Sequence, residues 1–143
     1  MKIKTKKVLA FGTFDLLHLG HLHYLNEAKK LGSHLTVIVA RDENVEKFKK
    51  KKPVHKEGFR LEIVGSLKAV DNAVLGCRED IFEKVVELNP DVIALGYDQI
   101  PGEPEVKAEI KRRNLKCRVI TVSAFKEAEQ KSSLIKSKIR NEC

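Results

Sequence analysis

The chain has 143 residues, which suits one domain spanning 1–143. A hydrophobic fraction of 42% beside 34% charged residues fits a globular chain with one sizeable core. No apolar run is long enough for a membrane span, and the basic start Met1–Lys7 leads into only Val8–Phe11, a strand rather than a signal peptide. Cys77, Cys117 and Cys143 are odd in number and lack CxxC spacing, so neither a disulfide framework nor a zinc site is expected, and a reduced, cytoplasmic setting fits best. The net charge of +8 suits polyanionic partners, and much of it sits in Lys47–Lys52.

Val8–Phe11, ending at Gly12, reads as the first strand. Leu22, Leu25, Ala28 and Leu31 recur at helical spacing before the stop signal Gly32. Leu35–Ala40 is a continuous, β-branched run of the kind a parallel sheet buries on both faces. The polar, lysine-rich stretch Arg41–Glu57 reads as a loop with at most a helical turn. Ile63, Val64 and Leu67 mark a helix, Asp71-Asn72 a turn, and Ala73–Leu75 a short strand. Ile81, Phe82, Val85, Val86 and Leu88 form an amphipathic helix that stops before Asn89-Pro90. Val92–Leu95 is a strand closed by Gly96. Val106 and Ile110 mark a helix that tolerates Pro104 in its first turn. Arg118–Val122 is the last strand, and Ser132 or Ser133 caps a final helix carrying Ile135 and Ile139.

Strands separated by helices cannot pair as hairpins. The alternation predicts a Rossmann-like α/β fold: three layers, with a five-stranded parallel sheet and right-handed crossovers. Such sheets bind ligands beyond the carboxyl ends of their strands. That address comprises Gly12–Gly20, Arg41–Lys52, Gly96–Pro101 and Ser123–Ser133.

His18-Leu19-Gly20-His21 opens the first helix, where free backbone N–H groups make a phosphate site. Two histidines three apart can aim at one ligand, and Gly20 lets a nucleotide approach the backbone. A metal reading of His18, His21 and His23 is awkward, because His23 lies roughly 140° around a helix from His18.

The string Gly12-Thr13-Phe14-Asp15 followed by His18-Leu19-Gly20-His21 resembles the signature of the cytidylyltransferase-like nucleotidyltransferases. That superfamily, of the HUP type, includes glycerol-3-phosphate cytidylyltransferases and archaeal-type FAD synthetases. The resemblance implies that His18 and His21 bind the triphosphate and stabilise the transition state. Thr13 and Phe14 match nucleotide-pocket positions, and Asp15 matches an aspartate that orients the histidines or helps hold a metal. Lysines after the second strand contact phosphate in this family; Lys47 and Lys51 are the choices within the run. Arg60 begins a stretch similar to the family's Arg-x-x-x-Val block, and Asp98 sits in a Gly-x-Asp-x block that meets the nucleotide.

The C-terminal block departs from the cytidylyltransferases, which carry an Arg-Thr-Glu-Gly-Ile-Ser-Thr-Thr-like stretch. Here Phe125-Lys-Glu-Ala-Glu-Gln-Lys-Ser-Ser133 keeps the serines but lacks the arginine; Lys126 or Lys131 would replace it without a planar fork. With Phe125 as an aromatic residue ahead of Ser132 and Ser133, the block is closer to the archaeal FAD synthetases. The resemblance thus implies AMP transfer from ATP to FMN, giving FAD and pyrophosphate. A divalent ion, Mg²⁺, would be held through phosphates rather than by protein ligands. CTP with glycerol 3-phosphate or another polyol or sugar phosphate is the alternative, and a heptose adenylyltransferase a third. The family often forms homodimers. Against a nucleic-acid-binding module stand an aromatic content of 6% and the lack of a reading helix.

Overall fold

The computed structural model describes residues 5–99 and 101–124. Its core is a parallel sheet of five strands in the order β3-β2-β1-β4-β5. The strands are β1 (Lys7–Gly12), β2 (His34–Val39), β3 (Asn72–Leu75), β4 (Val92–Leu95) and β5 (Arg118–Thr121). The helices are α1 (Leu19–Lys29), α2 (Asp42–Lys49), α3 (Glu57–Gly65), α4 (Glu83–Leu88) and α5 (Glu103–Arg112).

Alternation along the strands divides the core in two. Val8, Ala10, Leu35, Val37, Val39, Val92 and Ala94 face one side and pack with Tyr24, Leu25 and Ala28 of α1 and Val64 of α3. Leu9, Ile38, Ile93 and Leu95 face the other, against Val85 of α4 and Val106 and Ile110 of α5. A strand's period of two forces this split, and burial on both faces explains the unbroken apolar runs. The expected three-layer, parallel architecture is the one found.

From β1 the chain steps outward through β2 to β3, then returns to place β4 on the other flank of β1. The switch point therefore lies between the carboxyl ends of β1 and β4, where ligands enter sheets of this kind.

Arg41–Glu57 is not a loop. It contains the eight-residue α2, so two helices rather than one join β2 to β3. Asp42 and Glu43 lie in its first turn and Lys47 and Lys49 in its last, an arrangement that complements the helix dipole. Apolar periodicity fails there because Val45 is its one buried apolar residue, while Phe48 remains 57% exposed. Lys50 ends α2 in the left-handed conformation with φ 56°.

Other boundaries moved by a turn. Leu31 and Leu67 lie beyond the ends of α1 and α3, although both pack on the core. Ile81 and Phe82 precede α4. Pro104 does sit in the first turn of α5. The helix expected around Ile135 and Ile139 lies outside the described residues.

Candidate active site

The two motif histidines cap α1 rather than projecting from its flank. His18 is the N-cap residue, extended at φ −146° and ψ 175°, and His21 is the third residue of the helix. His18 Nδ1 accepts a hydrogen bond from the Gly20 N–H at 3.1 Å, and His21 Nδ1 accepts one from the His18 N–H at 3.3 Å. This is a reciprocal capping box made from imidazoles. It satisfies backbone donors that an α-helix start leaves unpaired.

The arrangement also fixes chemistry. A ring nitrogen that accepts from a backbone N–H carries no proton, so the proton of each neutral imidazole resides on Nε2. The rings stack with centroids 3.9 Å apart and planes 27° from parallel, so the two Nε2 donors belong to one compact unit. Burial above all, and then the repulsion a second positive charge would meet from His18 or Lys49, pushes the His21 imidazole down to about 3. His21 is thus a neutral N–H donor near pH 7.

Glycines make room for this unit. A Cβ on Gly20 would lie 2.8 Å from the His18 ring, so Gly20 serves first to let that ring fold over the helix start. A Cβ on Gly12 would meet the Phe14 ring at 2.5 Å. Phe14 is 3% exposed and sits in the left-handed region at φ 54°, which is costly for a bulky residue. That conformation directs its ring inward, edge-on to His21 with centroids 5.4 Å apart.

Behind the junction, Tyr24 and Gln99 lock β1 to β4 across the switch point. The buried Tyr24 hydroxyl donates to the Ala94 carbonyl at 2.6 Å and accepts from the Phe11 N–H at 3.1 Å. Gln99 Nε2 donates to the Phe11 carbonyl at 2.7 Å, while Gln99 Oε1 accepts from the Gly96 N–H at 2.8 Å. Burial pushes the Tyr24 phenol above its ordinary range, so it remains protonated.

A second clamp holds the lysine-rich segment. The two oxygens of Asp15, a residue 7% exposed, accept from the Val54 and His55 N–H groups at 2.8 Å each. Arg60 is fully buried and donates to the His55 carbonyl at 2.9 Å, the Thr13 carbonyl at 2.8 Å and Asp42 Oδ1 at 2.7 Å. Glu57 pairs with Arg41 at 2.9 Å and accepts from the Asp42 N–H at 3.0 Å. The segment 50–53 therefore spans two anchored points beside the helix start.

These elements enclose a cavity of about 570 Å³. Thr13, Phe14, Asp15, His18, Gly20, His21, Lys51 and Asp98 all line it. Leu19, Lys47 and Arg60 are not among its lining residues. Leu19 points outward at 50% exposure, Lys47 is exposed on α2, and Arg60 is a buried strut. Lys49 and Lys52 take the place expected for Lys47. Phe125, Ser132 and Ser133, with Lys126 and Lys131, lie outside the described residues.

Part of the wall was not anticipated. Gly76, Cys77, Ile81 and Phe82 follow β3, whose end was left out of the expected ligand address. Asn44 and Phe48 fall within the expected Arg41–Lys52 stretch, but α2 rather than a loop presents them. The signal that points to the β3 end is topological: all strands are parallel, so their carboxyl ends share one edge.

Among the described residues no three His, Cys, Asp or Glu side chains converge as a metal site. His23, which also borders the cavity, has its Nε2 3.1 Å from the Ser123 carbonyl. Asp15 spends an oxygen on each of two backbone donors. The donor set suits a divalent ion carried mainly by phosphate oxygens rather than a protein cage.

A five-stranded parallel sheet with a histidine-capped strand–helix junction at its switch point defines an α/β protein of Rossmann-like type. The model of the Cytidylyltransferase-like family matches residues 9–142, and the chain belongs to that family. The FAD synthase of Archaeoglobus profundus is 49% identical over 127 residues, covering 89% of this chain and 81% of the relative. The FAD synthase of Thermoplasma acidophilum is 43% identical over 133 residues, 93% of each chain. A solved structure titled as the lipopolysaccharide core biosynthesis protein from Thermoplasma volcanium GSS1 superposes with a TM-score of 0.80 at 42% identity, covering 85% of this chain and 99% of that one. Pantoate-beta-alanine ligase from Francisella tularensis shares the fold at a TM-score of 0.66 and 16% identity, covering 99% of this chain and 71% of that one.

The depressed His21 value makes stability depend on pH. An unfolded chain holds an ordinary histidine near 6.5, whereas the folded one resists protonation until about 3. As pH falls, the unfolded state takes up the proton first, so stability contributed by neutral His21 is complete above about 6.5 and drains away from 6.5 to 3. His21→Gln keeps a residue suited to the capping box but cannot titrate. Denaturant midpoints measured from pH 7 to pH 4 should fall less steeply for this variant than for the parent; equal slopes would contradict the assignment.

Asp15→Asn leaves one carbonyl oxygen for two backbone donors and turns an amide N–H₂ toward the other. The expected cost is about 1–3 kcal/mol. Hydrogen exchange should accelerate at the Val54 and His55 amides while the β1 amides keep their protection; unchanged exchange at both would show that the clamp holds nothing.

Proposed function

We propose that this protein transfers the AMP moiety of ATP to FMN, giving FAD and pyrophosphate. The observation that carries the reading is a set of archaeal relatives named FAD synthase, 41–50% identical over most of the chain. It is supported by two imidazoles locked as Nε2 donors beside a helix start and a run of lysines.

An oxygen of the FMN phosphate attacks the α-phosphorus of ATP, a new P–O bond forms, and the bond to the pyrophosphate oxygen breaks. The acceptor phosphate is already a competent nucleophile, so no general base or covalent enzyme intermediate is needed. The protein aligns attacker and leaving group and stabilises charge on the phosphate oxygens. His18 and His21 donate from Nε2 to the triphosphate, and the start of α1 adds its partial positive charge. Being neutral, His21 enters the site without the desolvation cost of a buried cation. Lys49, Lys51 and Lys52 neutralise the departing phosphates. Thr13, Gly20 and Asp98 border the nucleotide. A divalent ion, Mg²⁺ in this reading, supplies further charge neutralisation when bound to the phosphates.

The same proposal places the enzyme in a reducing cytoplasm, where Cys77 and Cys117 stay as the free thiols they are. Among the described residues no helix is long and apolar enough to cross a membrane.

A panel of four nucleoside triphosphates against FMN, glycerol 3-phosphate and sugar phosphates, read as pyrophosphate release, tests the assignment. ATP with FMN should give the highest turnover; preference for CTP with a polyol phosphate would overturn it. In the active pair, His21→Ala should lower turnover ~10²–10³-fold, the scale for losing one oxyanion donor. A variant keeping more than a tenth of parental turnover removes His21 from the mechanism.

A further inference from the structure

The cavity has more apolar wall than a triphosphate and an acceptor phosphate use. On the flank of β2 and β3 it is bounded by Phe48 from α2, Ile38 of β2, and Cys77, Ile81 and Phe82 after β3. Phe48 borders the cavity yet is 57% exposed, an unfavourable position for an aromatic ring until a flat apolar partner covers it.

The wall is held in place without a ligand. Arg41 Nε donates to the Gly76 carbonyl at 2.8 Å, and Asn44 Nδ2 donates to the Cys77 carbonyl at 3.1 Å. From the other side, Arg113 donates to Asp80 Oδ2 at 2.8 Å and stands over the Phe82 ring, 5.6 Å from its centroid. Asp80 Oδ1 in turn accepts from the Phe82 N–H at 3.0 Å. A lobe pinned from α2 and α5 meets its ligand with little ordering cost.

Two flat groups compete for this lobe, the base of ATP and the ring of the acceptor. A nucleobase presents hydrogen-bonding edges. The β4–β5 flank of the cavity is lined by polar side chains, those of Tyr97, Asp98 and Ser123. The β2–β3 lobe carries Ile38, Phe48, Ile81 and Phe82 with the Cys77 thiol, and its Asn44 amide donates to the Cys77 carbonyl, so it suits instead a large ring with an apolar edge.

Resting on the AMP-transfer reading above, we propose that the Phe48–Phe82 lobe seats the isoalloxazine ring of the flavin acceptor. Phe48 is then a specificity-determining residue that favours a flat aromatic acceptor over a polyol or sugar phosphate.

Riboflavin, which has the ring but no phosphate, is the probe, with binding followed by its fluorescence. Phe48→Ala removes an exposed side chain, so the fold should persist. It should weaken riboflavin binding and raise the KM for FMN by roughly tenfold each, with the KM for ATP unmoved. Phe48→Tyr should restore flavin affinity. In the parent protein, riboflavin should slow alkylation of Cys77 by iodoacetamide, mapped by peptide mass, and ATP alone should not.

A Phe48→Ala effect on ATP instead of flavin would give the lobe to the base and overturn the proposal. So would riboflavin binding that ignores Phe48, or no riboflavin binding at all. The two readings fail separately. Phe48-dependent riboflavin binding without FAD formation sinks the proposed reaction and leaves the lobe; FAD formation indifferent to Phe48 sinks the lobe alone.

Discussion

The site depends on one local interaction, the closure of the first helix by its own histidines. A helix start must find acceptors for several backbone N–H groups. Aspartate commonly fills that need, but once ionised it has no proton and leaves no hydrogen-bond donor facing outward. An imidazole can, because it has two nitrogens on opposite sides of one ring. By accepting at Nδ1, His18 and His21 satisfy the helix and commit Nε2 to donation. A structural obligation of the fold thereby selects the tautomer that phosphate binding requires.

Much of the surrounding sequence exists to keep those rings in place. Gly20 gives His18 the space to fold back, Gly12 gives Phe14 the same freedom, and Phe14 buttresses His21. Tyr24 and Gln99 tie together the strand ends on which the junction rests. Asp15 and Arg60 extend the order outward, joining the β1 loop to the segment that carries the lysines. Arg60, a charge with no exposed surface, is tolerable because its three hydrogen bonds replace hydration. Removing partners from such a buried charge costs about 3–5 kcal/mol, so this clamp is structural before it is functional.

The parts of this arrangement legible in the sequence are those governed by short-range rules. Continuous apolar runs disclosed the strands, turn residues disclosed their ends, and the Gly-Thr-Phe-Asp and His-Leu-Gly-His strings disclosed the junction. What escaped is governed by contacts distant in the chain. Helix α2 buries one apolar residue, so its periodicity carries no signal, and its start is fixed by Arg60 and Glu57 from the following helix, both of which hold Asp42. Lys47 and Lys49 are indistinguishable by type; only the helix phase directs Lys49 to the cavity. Phe82 and Cys77 join the site because the sheet is wholly parallel, which brings the β3 end to the same edge as the β1 loop. Arg60, read in the sequence as the start of an Arg-x-x-x-Val stretch, is the most deeply enclosed charge among the described residues.

The cavity thus joins two environments: a small polar end with oriented donors, and a broad apolar flank fixed by ion pairs behind it. Such a combination suits chemistry at a phosphate borne by a large organic group. The polar end is the decisive half. Nitrogen-15 spectra of the imidazoles at neutral pH, recorded with and without ATP, read its state directly. The account predicts Nε2–H tautomers for both His18 and His21, with their Nε2 resonances moving when ATP is added. An Nδ1–H tautomer at either residue, or a protonated His21, would contradict it.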